Sequence, residues 1–238
     1  MENYLVSKSN KVIEATYKLG LNEQRVVLSC ISKQDSRAKL EEGKEFSLSA
    51  KEYSELFGMD LKHAYQEIKE ASDHLFERHL WITSPLTGNP VKTRWISSIE
   101  YLDGGVTLQF AEKLTPFLAN LSSEFTSYRL GNITKLTSVY AIRLYEMFAQ
   151  WKGRGDLIIS VDNLRKRLGV LDNEYKRMDH LKGRVINMAI KQINENTDIN
   201  CRYDQIKSGK KITAFKFHFG ENCPTQIELE EAIAGIPQ

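Results

Sequence analysis

Counted at 100° per residue, Lys176, His180, Gly183, Arg184, Asn187 and Lys191 share one face of a helix expected over about 176–194. These residue types suit a DNA duplex. An arginine guanidinium matches guanine O6 and N7, an asparagine amide matches adenine N6 and N7, and a glycine lets the helix backbone come close. Arg177 and Lys182 sit at the start of the same helix, where Lys182 projects nearer the apolar side but can still reach a phosphate. Further along, Lys207, Lys210 and Lys211 surround the turn "KSGKK", a cationic tip suited to the backbone. A solvated helix face can hold the same residues, so the surroundings matter. Residues 121–220 carry 18 Lys and Arg against 10 Asp and Glu, whereas residues 1–120 carry 15 against 17. The last stretch, 221–238, has four Glu and no Lys or Arg. A basic block beside near-neutral and acidic ones points to a polyanionic partner.

The elements that hold these residues occur twice. "EFSLSAKEYSELFG" (45–58) and "DLIISVDNLRKRLG" (156–169) each read as a short strand, a serine N-cap, a two-turn helix and a closing glycine. In the first copy Ser49 and Glu52 have capping-box spacing. Each copy is preceded by an amphipathic helix, expected over Val12–Ser32 and Leu136–Trp151. A longer helix follows each: Leu61–His79, with Ala64, Ile68, Ala71, Leu75 and the adjacent Phe76 inward, and Lys176–Asn194, with Leu181, Val185, Met188 and Ile193 inward. Strands then follow. In the first copy these are "LWITS", a turn at "LTGNP", "VKTRWISSIEYL", a turn at "DGG" and "VTLQF"; in the second, "DINCRYDQI" and "ITAFKFHF" form a hairpin with Phe215, Phe217 and Phe219 inward.

Helix, strand, short helix, long helix and hairpin is the order of a winged helix-turn-helix. The expected fold class is therefore α+β, with two tandem winged-helix domains. The division is 1–120 for the first, 121–220 for the second, and an acidic, loosely ordered tail at 221–238, with "KLTPFLANLSSEFTSY" as the join. A helix-turn-helix puts its second helix into the major groove. In the first copy that helix presents His63, Gln66, Glu67, Glu70, Asp73, His74 and Glu77, whose four carboxylates a phosphate-lined groove would repel. The second copy is thus the expected major-groove reader. The first can offer Lys92 and Arg94 to phosphates, or its strand edge to a second copy of the chain.

Other chemistries lack their residues. The five histidines show no paired metal-binding spacing of the kind a rolling-circle nickase needs, and no GxxxxGK[ST] phosphate loop is present. Cys30, Cys201 and Cys223 have no CxxC spacing and read as thiols in a reducing compartment. No apolar run approaches the ~20 residues of a membrane span, and the first thirty residues do not read as a secretory signal. The expectation is a DNA-binding protein without catalytic residues, metal or cofactor.

"LGLNEQRVVLSCIS" (19–32), "ITKLTSVYAIRLYEMFAQWKGRGDLIISVDNLRKRLGV" (133–170) and "HLKGRVINMAIKQINENTDI" (180–199) resemble the iteron-binding replication initiators of theta-replicating plasmids, over nearly the whole chain to about Gly220. The resemblance implies monomers that bind direct repeats (iterons) at an origin, help open adjacent AT-rich DNA, and recruit the host replication initiator and replicative helicase. It also implies homodimers, joined through the first winged helix, that bind an inverted repeat and repress the gene's own promoter. On the matching residues, Arg184 and its neighbours would read part of each repeat, and the first module would make mainly backbone contacts. The implied location is the bacterial cytosol. Two rival readings remain at this point: a plain dimeric repressor, and a protein-interaction scaffold that binds no DNA.

Overall fold

A computed structural model describes residues 4–38, 43–84, 87–119, 121, 124–221 and 223–234. Leu86 of the expected turn at 86–90, Asn120, Ser122 and Ser123 of the join, and residues 222 and 235–238 of the acidic tail lie outside the described residues. The chain divides into two compact units, 1–135 and 136–238.

The first unit runs β1 (Leu5–Ser9), α1 (Asn10–Glu14), α2 (Leu21–Ile31), β2 (Glu45–Ser49), α3 (Ala50–Phe57), α4 (Leu61–Glu77), β3 (His79–Thr83), β4 (Pro90–Arg94), β5 (Ile96–Leu102), β6 (Gly105–Phe110) and β7 (Phe125–Arg129). Strand β6 lies between β2 and β5, while β3 pairs with β4 and β1 with β7. The second unit runs α5 (Val139–Gln150), β8 (Asp156–Ser160), α6 (Val161–Leu168), α7 (Met178–Leu181), a π-helical stretch (Lys182–Asn187), α8 (Met188–Asn196), β9 (Asn200–Ser208), β10 (Lys211–Gly220) and α9 (Gln226–Ala234). Here β10 lies between β8 and β9. Each unit is a winged helix, with β5–β6 and β9–β10 as the respective wings.

The twin motifs take equivalent conformations. The Ser49 hydroxyl accepts from Glu52 N at 3.1 Å and the Ser160 hydroxyl from Asn163 N at 3.3 Å. Gly58 and Gly169 close their helices in the left-handed region, φ 65° and 70°, which any other L-residue adopts only with strain. Only the serine half of the expected capping box appears in the hydrogen bonds of Ser49 and Glu52. The Glu52 carboxylate instead pairs with Lys33 Nζ at 2.6 Å.

Each unit packs around one central helix. In α5 every residue from Ala141 to Phe148 is buried, and in α2 every residue from Glu23 to Ile31. Such helices carry charges that must be matched internally. Glu23 accepts both arms of the Arg78 guanidinium at 2.9 Å and also the Gly20 N–H. Arg143, 2% exposed, donates through Nε and Nη2 to the Arg167 carbonyl at the end of α6, 3.0 and 2.7 Å away. Its Nη1 lies 3.4 Å from Glu146, which is itself fully buried. The inward phenylalanines are as expected: Phe215, Phe217 and Phe219 are buried, and Phe148 stacks on Phe219 with ring centroids 4.5 Å apart.

Several expectations change. The helix expected over Val12–Ser32 is two helices, because the chain extends from Ala15 to a new N-cap at Gly20. "VKTRWISSIEYL" is two strands in different sheets, broken at the fully buried Trp95. The division expected at 120/121 falls at 135/136, because β7 pairs antiparallel with β1, Leu5 opposite Arg129, and so belongs to the first unit. The acidic tail contains helix α9, whose Glu228 carboxylate accepts from Thr225 N and Oγ1 at 2.6 and 2.9 Å. Cys30 and Cys201 are buried, and burial pushes the Cys30 thiol up to about 12. Among the described residues no helix is long and apolar enough to cross a membrane.

Candidate nucleic-acid interface

The long helix of the second unit is a continuous rod from Met178 to Asn196. The flanking residues Lys182, Asn187 and Met188 all keep right-handed helical torsions across the π-helical stretch. A π-turn takes about one more residue than an α-turn, so the residues beyond it are rotated back by about 100°. The buried set is accordingly Leu181, Val185, Ile186, Ala189 and Ile193. Met188, expected on the buried stripe, is instead 44% exposed, and Ala189 takes its place in the core. The exposed side of the rod carries Gly183, Arg184, Asn187, Met188 and Lys191.

Several of the cations around this rod gather on one flank. Lys176, Lys210 and Lys211 line one cleft of about 610 Å³ with Tyr175, Arg165, Asp162 and Asp172. Among the described residues none of these three lysines is ion-paired, nor are Lys182, Arg184 and Lys207. Arg165 has a different task. Its guanidinium donates to the carbonyls of Leu171, Glu174 and Tyr175 at 2.6–3.1 Å, folding the loop that delivers Lys176. No local sequence pattern marks that role, because it depends on a loop that doubles back on α6.

On the other flank, Asn187, Ile190, Lys191, Asn194 and Tyr203 line a groove of about 1010 Å³ shared with Thr225–Ile227. The Tyr203 hydroxyl donates to Asn187 Oδ1 at 2.9 Å, and its ring meets Phe215 edge-on at 5.3 Å. Burial raises the Tyr203 pKa above the ordinary phenol value, so this hydroxyl stays a donor at neutral pH. The amide of Asn187 is thereby oriented from the wing, a partnership that requires the β9 fold and that sequence spacing misses. Lys191 lies 3.9 Å from Glu195.

The remaining expected residues stand apart. Arg177 is forked onto Asp179 at 3.0 and 2.7 Å, which raises the arginine pKa and lowers that of the aspartate and neutralises much of its charge. His180 is half-exposed on the first turn of α7. In the first unit Lys92 is exposed on β4, opposite Trp81. Arg94 is engaged within its own unit: it donates to the Phe76 carbonyl, lies over the Phe76 ring at 4.9 Å and sits 3.4 Å from Glu77. Two carboxylates of α4 are likewise held locally, Glu70 by Gln66 at 2.5 Å and Asp73 by the Tyr101 hydroxyl. Among the described residues no group of three His, Cys, Asp or Glu could hold a metal ion.

Known proteins share this order of two domains. The model of the initiator replication protein WH1 domain matches residues 5–149, and that of the initiator Rep protein WH2 domain matches residues 160–219. An uncharacterised 27.6 kDa protein of Escherichia coli is 28% identical over 218 residues, covering 86% of this chain and 91% of that protein. The PI protein of Escherichia coli is 25% identical over 245 residues, covering 88% and 80%. The crystal structure of the Pi initiator protein in complex with iteron DNA superposes with a TM-score of 0.79 at 23% identity, over 92% of this chain and 98% of that one. With two winged helices in this order and family matches along most of its length, the chain belongs to the initiator replication protein family.

Proposed function

We propose that this chain is a sequence-specific, non-enzymatic replication initiator that binds the iterons of a plasmid origin as a monomer and represses its own promoter as a dimer. The rod from Met178 to Asn196 enters the major groove, and Lys207, Lys210 and Lys211 hold the phosphates beside it. The first unit adds backbone contacts and the dimer surface. Host replication initiator and replicative helicase are the protein partners. The observation that carries this reading is the cleft in which Lys176, Lys210, Lys211 and Arg165 outnumber Asp162 and Asp172, and in which none of the three lysines is ion-paired among the described residues. Four cations against two carboxylates leave the cleft with a net positive charge, which a polyanion would offset. The related Pi initiator protein was crystallised with iteron DNA, which agrees with that chemistry.

The wing gives the direct test. Replacing Lys210 and Lys211 with alanine should weaken binding to all duplexes alike and reduce the slope of log K against log salt by ~2, one for each phosphate no longer neutralised. An unchanged slope with altered preference among sequences would make the wing a base reader. Binding that ignores salt altogether would favour a protein-interaction scaffold instead.

Gly183 offers a second test. A Cβ built there meets nothing within 4 Å, so the folded protein alone gives no reason for a glycine mid-rod. Gly183→Ala should raise the melting temperature by a few degrees, since a helical glycine costs ~0.5–1 kcal/mol relative to alanine. The same variant should bind DNA several-fold more weakly, because the added methyl occupies the space of close approach. Undiminished affinity would show that the rod keeps its distance from the bases here.

A further inference from the structure

We propose that Met188 is a specificity-determining residue that packs its thioether against the C5-methyl of a thymine beside the base pair met by Arg184. This rests on the reading of the second unit as the groove reader and goes beyond it. A single exposed apolar side chain is ordinary on a protein surface, so exposure alone decides nothing. Position does. The π-helical stretch carries Met188 out of the core and leaves its place to Ala189. Four residues before it, about one turn earlier, stands Arg184, which is exposed on the outer side of the rod as Met188 is. Asn187 and Lys191 occupy the adjacent outer positions. Among the described residues of the rod, Met188 is the one large apolar side chain left so open to water.

In the major groove the thymine methyl is the principal apolar group, and it is what separates A·T from its neighbours for an apolar reader. An unbranched, polarisable thioether adapts to such a target. Its neighbours on the rod offer charge or an amide, so they cannot read that methyl. Guanine by Arg184 and the adjacent thymine by Met188 is thus the division of labour on this side.

The test is a cycle between protein and base. Duplexes selected from a random pool by the full chain are resynthesised with each thymine in turn replaced by deoxyuridine, which lacks only the methyl. Wild-type protein should lose about fourfold in affinity at one thymine of the site, the equivalent of ~0.8 kcal/mol for one buried methyl. Met188→Ala should bind the thymine duplex more weakly, lose nothing further on that deoxyuridine substitution, and melt within about 2 °C of wild type. Equal losses for both proteins at every thymine would overturn the assignment while leaving the second unit as the DNA reader. Failure of the full chain to select any duplex, or selection equally good with Arg184→Glu, would overturn both.

Discussion

Arg184→Glu is expected to reduce affinity for the cognate duplex at least about a hundredfold, and Glu70→Lys to leave it within about threefold. A bidentate arginine–guanine pair is worth ~1–3 kcal/mol of discrimination, and a carboxylate in its place adds repulsion from the flanking phosphates. Arg184 is exposed and unpaired among the described residues, so the exchange breaks no internal ion pair, and thermal unfolding should be unchanged. Glu70 is exposed on α4, where its partner is Gln66 of the same helix. Anisotropy titrations at one fixed salt concentration compare the two variants. A Glu70→Lys variant that lost binding while Arg184→Glu kept it would move the reading helix to the first unit.

The second large effect concerns stability. Removing one member of the Arg143–Glu146 pair should destabilise the second unit by ~3–5 kcal/mol, because the other charge stays buried after this opposite charge is gone. Arg143→Leu carries an additional penalty, since its guanidinium also holds the Arg167 carbonyl at the end of α6. That bond connects the central helix to the helix-turn-helix, so its loss loosens the support of the reading rod as well as the core. The double variant Arg143→Leu/Glu146→Leu should recover part of the deficit, as replacement of a whole buried pair by apolar side chains often does. Urea unfolding followed by tryptophan fluorescence measures all three. Single variants that lose less than about 1 kcal/mol would mean that water reaches this pair.

Most of the helix-turn-helix logic is legible in the sequence because it is local. Serine caps, closing glycines and the alternation of Phe215, Phe217 and Phe219 act within a few residues, where propensity and period decide the outcome. The π-helical stretch is not legible. Val185 and Ile186 are adjacent and both buried, an arrangement that packing imposes and a 100° count does not anticipate, so that count puts Met188 on the wrong side. The apolar residues of Val12–Ser32 suit one helix, and only the glutamate cap at Gly20 marks the restart. For the candidate interface, residue types and spacing bring out Lys176, Arg184, Asn187, Lys210 and Lys211. Arg165 and Tyr203 act through loops and strands that meet them only in the folded unit. The partners Arg177 and Asp179 lie two residues apart, so their pairing is open to direct reading.

The pairing of β1 with β7 also sets a timetable. On a ribosome adding ~5–20 residues per second, residues 5–9 emerge roughly ten seconds before residues 125–129 exist. Throughout that interval the nascent amino-terminal strand carries an unpaired edge, the feature through which strands of neighbouring chains join. A polysome crowded with copies of this message would therefore favour exchange of that strand between sister chains, and slower translation would lengthen the exposure.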